Sequence, residues 1–268
     1  MADTPLLNLF SGVFRGSGWS NLTKPVVVLD GQAEEWRKDR FFSGSFAYIV
    51  GANENNFEEL CGALSARVVV FYEMRVSALS SLQEISGLEH LAINWNNKVT
   101  DLSPLSYLSC LKTLSLIDTP KATDISPLST LQELCAFEFS GAPTLSNKNT
   151  AKSLEPLVAL TRLEELRLTN LKVEEDGLRP IAKCRGLKRL SVANTFDTED
   201  YAFLAAKMPN TVCRHFNATV QVQGDAIKRG IDTMVVGRRK PFLSSREDAG
   251  RIAVYEAAFA KLKAKHSV

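Results

Sequence analysis

Histidine and cysteine are the residue types that most often hold a metal ion or act as a nucleophile. This chain has three histidines and five cysteines. They are His90, His215 and His266, together with Cys61, Cys110, Cys135, Cys184 and Cys213. No H-x-x-H, H-E-x-x-H or C-x-x-C spacing joins them, so the sequence predicts no metal site. It also lacks G-x-S-x-G, a phosphate-binding loop and G-x-G-x-x-G, so we predict no cofactor and no enzymatic activity.

The cysteines have a simpler interpretation than catalysis. Cys184 occupies a leucine position of the repeat described below, and Cys110 and Cys135 flank leucines of the same repeat. Free cysteine behaves as a small apolar residue when it is buried. We therefore expect buried and inert thiols.

Composition and charge narrow the classes of partner. The 268 residues are 45% hydrophobic and 23% charged, with a formal net charge of +2. Residues 226–268 are locally basic, but aromatic residues that could stack on bases are not interleaved with their Lys and Arg, so nucleic-acid binding is disfavoured. No apolar run of about 18 residues predicts a membrane span. The start of the chain does not have the pattern of a secretory signal, which predicts a cytoplasmic protein with reduced thiols.

The chain repeats itself. DLSPLSYLSCLKTLSL begins at Asp101, and DISPLSTLQELCAFEF begins 23 residues later (124 − 101). The pattern L-x-x-L-x-L/I fits at five places, with steps of 23, 23, 29 and 24 residues between their first positions. These copies are Leu88-Leu91-Ile93, Leu111-Leu114-Leu116, Leu134-Phe137-Phe139, Leu163-Leu166-Leu168 and Leu187-Leu190-Val192. A second ladder of apolar residues at a spacing of three precedes each later copy.

This pattern resembles the leucine-rich repeat family, within it the short-repeat type of internalin-like and phosphatase-regulator-like proteins. The resemblance implies an α/β fold: a right-handed solenoid of β-α or β-3₁₀ units, with a parallel sheet on the concave side and a cap at each end. The alternating core of each copy agrees with a strand that has one buried face. Pro104, Pro127, Pro156 and Pro180 recur where a short helical turn would begin, a position that needs no amide hydrogen.

The domain boundaries follow from where the repeats fade. We predict an N-terminal cap over residues 1–60, which includes degenerate repeats on one interpretation, repeats over residues 61–213 and a C-terminal cap over residues 214–268. Val68 and Val70 are taken as in phase with Leu91 and Ile93, 23 residues later. In the C-terminal cap, residues 219–243 read as strands with a hairpin. Ser244 and Glu247 form a capping box for a last helix, which is expected to cover the last repeat.

Binding in this architecture uses side chains that point away from the core along the concave strands. Extrapolating the register gives an aromatic and apolar group near the N-terminal side, followed by a charged strip. The predicted partner-binding residues are Phe71, Tyr72, His90, Trp95, Ile117, Asp118, Glu138, Glu165, Arg167 and Arg189. An aromatic cluster beside a polar rim is typical of a protein-binding hot spot. The alternatives are that Phe71 and Trp95 are covered or lie in the core, and that the charges form a solvated ladder.

The sequence therefore favours a non-catalytic recognition module that binds a protein partner on its concave face, as an inhibitor, an immunity-type protein or a regulatory protein would. The alternative function is a bacterial effector or scaffold with a separate activity in its terminal regions. Phosphate or nucleic-acid binding through the basic C-terminal part, residues 226–268, ranks last. The six or so residues added to the longest repeat, within residues 141–153, form either a tolerated insertion or a binding protrusion.

Overall fold

The computed structural model of the chain describes residues 7, 10, 25–30, 32–37, 40–142, 148–222, 227 and 230–267. Fourteen strands and three α-helices are described. The strands are β1 Val26–Leu29, β2 Gln32–Glu35, β3 Phe42–Val50, β4 Leu64–Tyr72, β5 His90–Asn94, β6 Thr113–Ile117, β7 Ala136–Ser140, β8 Asn149–Ala151, β9 Glu165–Leu168, β10 Leu171–Val173, β11 Arg189–Val192, β12 Thr219–Gln221, β13 Thr233–Val235 and β14 Phe242–Leu243. The helices are α1 Phe57–Gly62, α2 Thr198–Lys207 and α3 Ala249–His266.

One nine-stranded sheet runs through the repeats, in the order β11-β9-β7-β6-β5-β4-β3-β1-β2. From β3 to β11 every neighbouring pair of this sheet is parallel. The antiparallel strands β1 and β2 close its N-terminal edge. The predicted solenoid with a parallel sheet is confirmed, and the sheet extends back to β3.

Leucines of successive repeats lie side by side in the core. Leu91 pairs with Leu114, Leu114 with Phe137, Phe137 with Leu166, and Leu166 with Leu190. All five side chains are buried. Burying each contributes about 1.5–3 kcal/mol, which one repeat alone could not gain because its leucines would face water.

The chain returns from each strand through a short 3₁₀ turn on the opposite side of the core. These turns are Ser80–Glu84, Ser103–Tyr107, Ser126–Thr130, Glu155–Ala159 and Arg179–Lys183. The last four carry the predicted proline in their first turn. The aspartates of the repeated motif satisfy the exposed amides beside it: Asp101 accepts from the Ser103 N–H at 2.8 Å, and Asp124 from the Ser126 N–H at 2.9 Å.

The residue after each of three successive strands adopts a left-handed backbone conformation. These residues are Glu73, Trp95 and Asp118, with φ of 54°, 64° and 52°. Their amides extend the sheet ladder, since Trp95 N–H donates to the Ile117 carbonyl at 2.9 Å and Asp118 N–H to the Ser140 carbonyl at 2.9 Å. The left-handed residue turns the chain out of the sheet and towards the 3₁₀ side.

The long repeat adds a strand at the edge of the solenoid. β8 pairs in parallel with β10. Asn149 is buried and accepts from the Thr119 N–H at 2.9 Å, while its amide group donates to Thr119 Oγ1 at 3.2 Å. This end of the insertion therefore fastens two repeats together. Residues 143–147, the middle of the insertion, lie outside the described residues.

The C-terminal part covers the last repeat in two layers. α2 buries Tyr201 and Leu204 against the repeats, and α3 packs on α2. Phe259 is the buried residue of α3, and Ile252, Tyr255 and Leu262 are half-buried on the same face of the helix. Ser244 Oγ accepts from the Glu247 N–H at 3.3 Å, as the capping box predicts, although the helix begins at Ala249. The predicted strands form an antiparallel sheet in the order β12-β13-β14.

Three of the five cysteines are buried as predicted. Cys61, Cys184 and Cys213 are buried, and burial raises the pKa of each thiol. Cys135 is half-buried. Cys110 is exposed, against the expectation, because the turn before β6 directs it to solvent. Within the described part of the chain, none of the helices has the length and apolar character that a membrane crossing requires.

Lowering the pH from 7.5 to 5.0 should destabilise the protein through His215, a buried residue whose ring lies 5.5 Å from that of Tyr201. Burial, helped by the charge of Arg214, lowers the pKa of His215 from 6.5 to about 4. Between those values the unfolded chain binds a proton that the folded protein does not, so stability falls as pH falls. The loss at pH 5.0 is about 2 kcal/mol.

Urea unfolding of the wild type and of His215→Phe at the two pH values tests this. The variant keeps an aromatic ring against Tyr201 and should lose about 2 kcal/mol less on acidification. Carboxylates titrate equally in both proteins and cancel in the comparison. An identical pH dependence in the two proteins would contradict the assignment.

Candidate functional site

The sheet has a second face, turned away from the leucine core, which we call the concave face. Alternation along the strands and the pairing register define its residues. They are Phe46, Tyr48, Val50, Val68, Val70, Tyr72, His90, Ala92, Asn94, Thr113, Ser115, Ile117, Ala136, Glu138, Ser140, Glu165, Arg167, Arg189 and Ser191.

Phe71 is not one of them, which corrects its prediction as a partner-binding residue. It pairs with Ile93, is 0% exposed and lies edge-to-face with Phe57 in the core, with ring centroids 5.6 Å apart. The prediction assumed a step of 23 residues between β4 and β5. The observed pairing of Val69 with Leu91 gives a step of 22 (91 − 69), and a slip of one residue exchanges the two faces of a strand.

The N-terminal half of the concave face is apolar. Tyr48, Val50, Val70 and Ala92 form a second buried cluster, separate from the leucine core. The Tyr48 and Tyr72 rings stack with centroids 6.1 Å apart. An aromatic row thus lies across the strands.

Trp95 ends this row and is exposed. It meets Tyr72 edge-to-face, with centroids 6.0 Å apart, and 44% of its surface is accessible. It follows β5 and belongs to the rim of the concave face. The sequence therefore placed Tyr72 and Trp95 near each other correctly, but it did not identify Tyr48 as their neighbour. Tyr48 lies 22 residues before Val70 (70 − 48), with which it pairs. A search for steps of 22 residues, in addition to 23, would have identified it.

The C-terminal half carries the charged residues that the sequence predicted, now as a contiguous network. Arg167 lies with Nη1 3.6 Å from Glu138 Oε2 and Nη2 3.7 Å from Glu165 Oε1. Arg189 Nη2 lies 3.5 Å from Glu165 Oε2. The register causes this arrangement, because Glu138 pairs with Arg167 and Glu165 with Arg189 on neighbouring strands. The two negative charges of the carboxylates are therefore matched by the two positive charges of the guanidinium groups.

Both carboxylates of the network are buried although they face away from the core. Burial raises the pKa of Glu138, and the charge of Arg167 and the Ser115 hydroxyl, which donates to Glu138 Oε2 at 2.9 Å, oppose that shift. Such a pair is not the solvated ladder that the sequence left open as an alternative. Removing either partner of a buried ion pair leaves a buried charge without compensation, which destabilises the fold.

The other predicted residues lie between these two regions. His90 is half-buried, and its Nδ1 lies 3.0 Å from Thr113 Oγ1. Burial lowers the pKa of His90, against the attraction of the neighbouring Glu89. Ile117 is half-buried on β6, and Asp118 is buried in its left-handed turn, where burial raises its pKa. Among the described residues, no group of three or more His, Cys, Asp or Glu is placed to hold a metal ion.

Two residues that the sequence did not connect with this surface contact it. Leu7 N–H lies 3.4 Å from Glu165 Oε2, and the Leu7 side chain is 1% exposed. Phe10 packs against the apolar cluster of Tyr48, Val50 and Ala92. No local signal predicts such contacts, since 158 residues separate Leu7 from Glu165.

Comparison with known proteins agrees with the repeat. Residues 86–130 match the family model for two copies of leucine-rich repeats. No curated protein sequence matches the chain. Among solved structures, an internalin C2 of Listeria monocytogenes is 21% identical over 62% of this chain and 68% of its own, with a TM-score of 0.43. An internalin InlF of the same species is 19% identical over 60% and 58%, with a TM-score of 0.39.

The matched residues contain β5, β6 and the 3₁₀ turns that follow them. The same strand register continues on both sides, from β3 to β11. The chain therefore folds as a leucine-rich repeat solenoid, with the family's repeat matched at residues 86–130.

Proposed function

We propose that this protein recognises a protein partner on its concave face, with the aromatic row of Tyr48, Tyr72 and Trp95 as the main contact region. Solenoids of this kind present extended surfaces and serve as interaction modules. The charged network beside the row would supply the polar rim and fix the orientation of the partner. The proposal includes no catalytic step.

The observation that carries the proposal is the conformation and exposure of Trp95. A large side chain with φ of 64° costs about 1–2 kcal/mol relative to the ordinary backbone regions, and asparagine or glycine would fit the turn better. The same side chain leaves 44% of its surface in contact with water. Tryptophan is one of the residues enriched in binding hot spots. The left-handed turn belongs to the repeat, since Glu73 and Asp118 share it, but the turn does not require a tryptophan, and the exposure of this side chain supports a binding role.

Trp95→Asn should separate binding from stability. Asparagine tolerates the left-handed turn, which offsets the lost contact with Tyr72, so the free energy of unfolding should change by less than about 1 kcal/mol. Affinity for the partner should fall at least tenfold, which corresponds to about 1.4 kcal/mol of hot-spot energy. Affinity capture from a native lysate identifies the partner, and calorimetry then measures the two dissociation constants.

Tyr107→Ser is the matched control, because Tyr107 is an exposed aromatic residue, 74% accessible, on the 3₁₀ side of the solenoid. It should bind the partner as the wild type does. A partner that Trp95→Asn retains with full affinity would show that the aromatic row is not the binding region. Whether the role is inhibition, immunity or regulation, and whether the protein acts in the cytoplasm, remain predictions from the sequence.

A further inference from the structure

The concave face is already in contact with a part of the chain that belongs to no repeat. Leu7 is 1% exposed, yet it is not a member of the leucine core. Its backbone N–H points to Glu165 Oε2 at 3.4 Å, in the charged half of the face. Glu165 thereby accepts a hydrogen bond from a backbone group while Arg167 and Arg189 hold its position.

Phe10 contacts the other half of the same face. It packs on the cluster that Tyr48, Val50, Val70 and Ala92 form, against which Tyr72 of the aromatic row also packs. The cluster residues are buried with Phe10 present. Phe10 therefore covers part of the surface that we propose binds the partner.

Leu7 and Phe10 contact different strands of the sheet, Leu7 at Glu165 on β9 and Phe10 at the cluster that includes Ala92 on β5. β5 and β9 are three positions apart in the sheet, which is about 14 Å. Leu7 and Phe10 are both in 3₁₀ conformation, in which three residues advance about 6 Å, and the long side chains of Phe10 and Glu165 extend across the remainder. One short segment with apolar side chains three positions apart thus connects the charged half to the aromatic half.

We propose that the segment containing Leu7 and Phe10 is an intramolecular ligand of the concave face, and that the partner binds by displacing it. The inference rests on the proposed function, whose site it regulates. A tethered segment has an effective concentration of about 1 mM, so a partner must compete with it, and its apparent affinity falls with the fraction of open molecules. The segment is in this sense autoinhibitory.

The same contacts describe the partner. It presents a short 3₁₀-like turn with a leucine-like and a phenylalanine-like side chain three positions apart, and a free backbone N–H for Glu165. The two carboxylates and two guanidinium groups of the network balance, so the surface gives no preference for a strongly acidic or strongly basic peptide.

A fluorescent synthetic peptide of residues 1–14 tests the proposal without an external partner. Its binding is measured by anisotropy with three full-length proteins: the wild type, the double variant Leu7→Ala/Phe10→Ala, and the control Tyr107→Ser/Val254→Ser. The control removes two exposed apolar side chains that lie away from the concave face. The peptide should bind the Leu7→Ala/Phe10→Ala protein at least tenfold more tightly than the other two.

Adding Ala92→Arg to Leu7→Ala/Phe10→Ala should abolish this binding, because Ala92 lies on the floor of the Phe10 site. Equal binding by the wild type and the double variant, or no binding by either, would overturn the proposal.

Hydrogen exchange on the wild type gives a result that does not depend on how the variants fold. The Leu7 amide, which donates to Glu165, should exchange at least tenfold more slowly than in the free peptide. Exchange at the free-peptide rate overturns the proposal as well. Negative results in the peptide-binding and exchange experiments would leave the effect of Trp95→Asn on partner binding unchanged. The autoinhibitory contact and the proposed function are therefore tested independently.

Discussion

Phe71→Ala should lower the free energy of unfolding by about 3–5 kcal/mol, the usual loss when a fully buried phenylalanine is truncated in a core. The side chain is 0% exposed and meets Phe57 edge-to-face, so the variant loses both the transferred apolar surface and the ring contact. Urea unfolding at neutral pH measures the change. The slope of the transition should stay the same, because the variant unfolds from the same fold.

The neighbouring residue provides a matched control. Tyr72 is of similar size and half-buried on the concave face, so Tyr72→Ala should cost less, about 1–2 kcal/mol. If Tyr72→Ala proved as destabilising as Phe71→Ala, the register of β4 would be wrong. Phe71→Ala should also leave the contact surface for the partner in place wherever the protein is folded, whereas Tyr72→Ala removes a member of the aromatic row.

These two variants test the point at which reasoning from the sequence failed. Five leucine copies fix the register from β5 to β11, because leucine at alternate positions can face only the core. In β4 the residues from Val68 to Tyr72 are all apolar or aromatic, so either face could be the buried one. Only the pairing of β4 with β5 decides which face is buried. The step from β4 to β5 is one residue shorter than the steps between the next two pairs of strands.

The ends of the solenoid show the same limit. β3 pairs with β4 in register, with Ala47 beside Val69, although neither residue is a leucine. Its membership in the sheet follows from neighbouring strands and not from a motif. The prolines of the 3₁₀ turns and the last helix could be predicted, because a proline in a first turn and an apolar stripe with a capping residue are local signals.

The candidate site was predictable only where it repeats. Glu138, Glu165, Arg167 and Arg189 could be placed together because parallel strands set equivalent positions side by side. The contacts of Leu7 and Phe10 depend on how a distant part of the chain lies across the sheet. Tertiary contacts of that kind have no periodic signature.

Arg167→Met should lower the free energy of unfolding by about 2–3 kcal/mol at pH 7.5. Removing one member of a buried ion pair leaves a charge without compensation and costs about 3–5 kcal/mol, and the 29% exposure of the Arg167 side chain reduces that cost. Methionine keeps most of the apolar stem, so the loss reports the charge and not the packing. Glu165 retains Arg189, and Glu138 loses its cationic partner.

The pH dependence of this loss has a definite sign. Burial already raises the pKa of Glu138, and without Arg167 the pKa rises further. Because the folded variant then binds a proton more readily than the unfolded chain, its stability increases as the pH falls towards the ordinary pKa of a glutamate. The gap between Arg167→Met and the wild type should therefore be smaller at pH 5.0 than at pH 7.5.

Glu138→Gln completes a double-mutant cycle. In the Arg167→Met background it removes the uncompensated charge while Ser115 can still donate to the side-chain oxygen, so the double variant should be more stable than Arg167→Met alone. Strict additivity of the two single changes would show that Glu138 and Arg167 do not interact. A measured coupling would mean that the charged half of the concave face is a fixed, preorganised surface, which is the condition under which its carboxylates can orient either the segment of Leu7 or a partner.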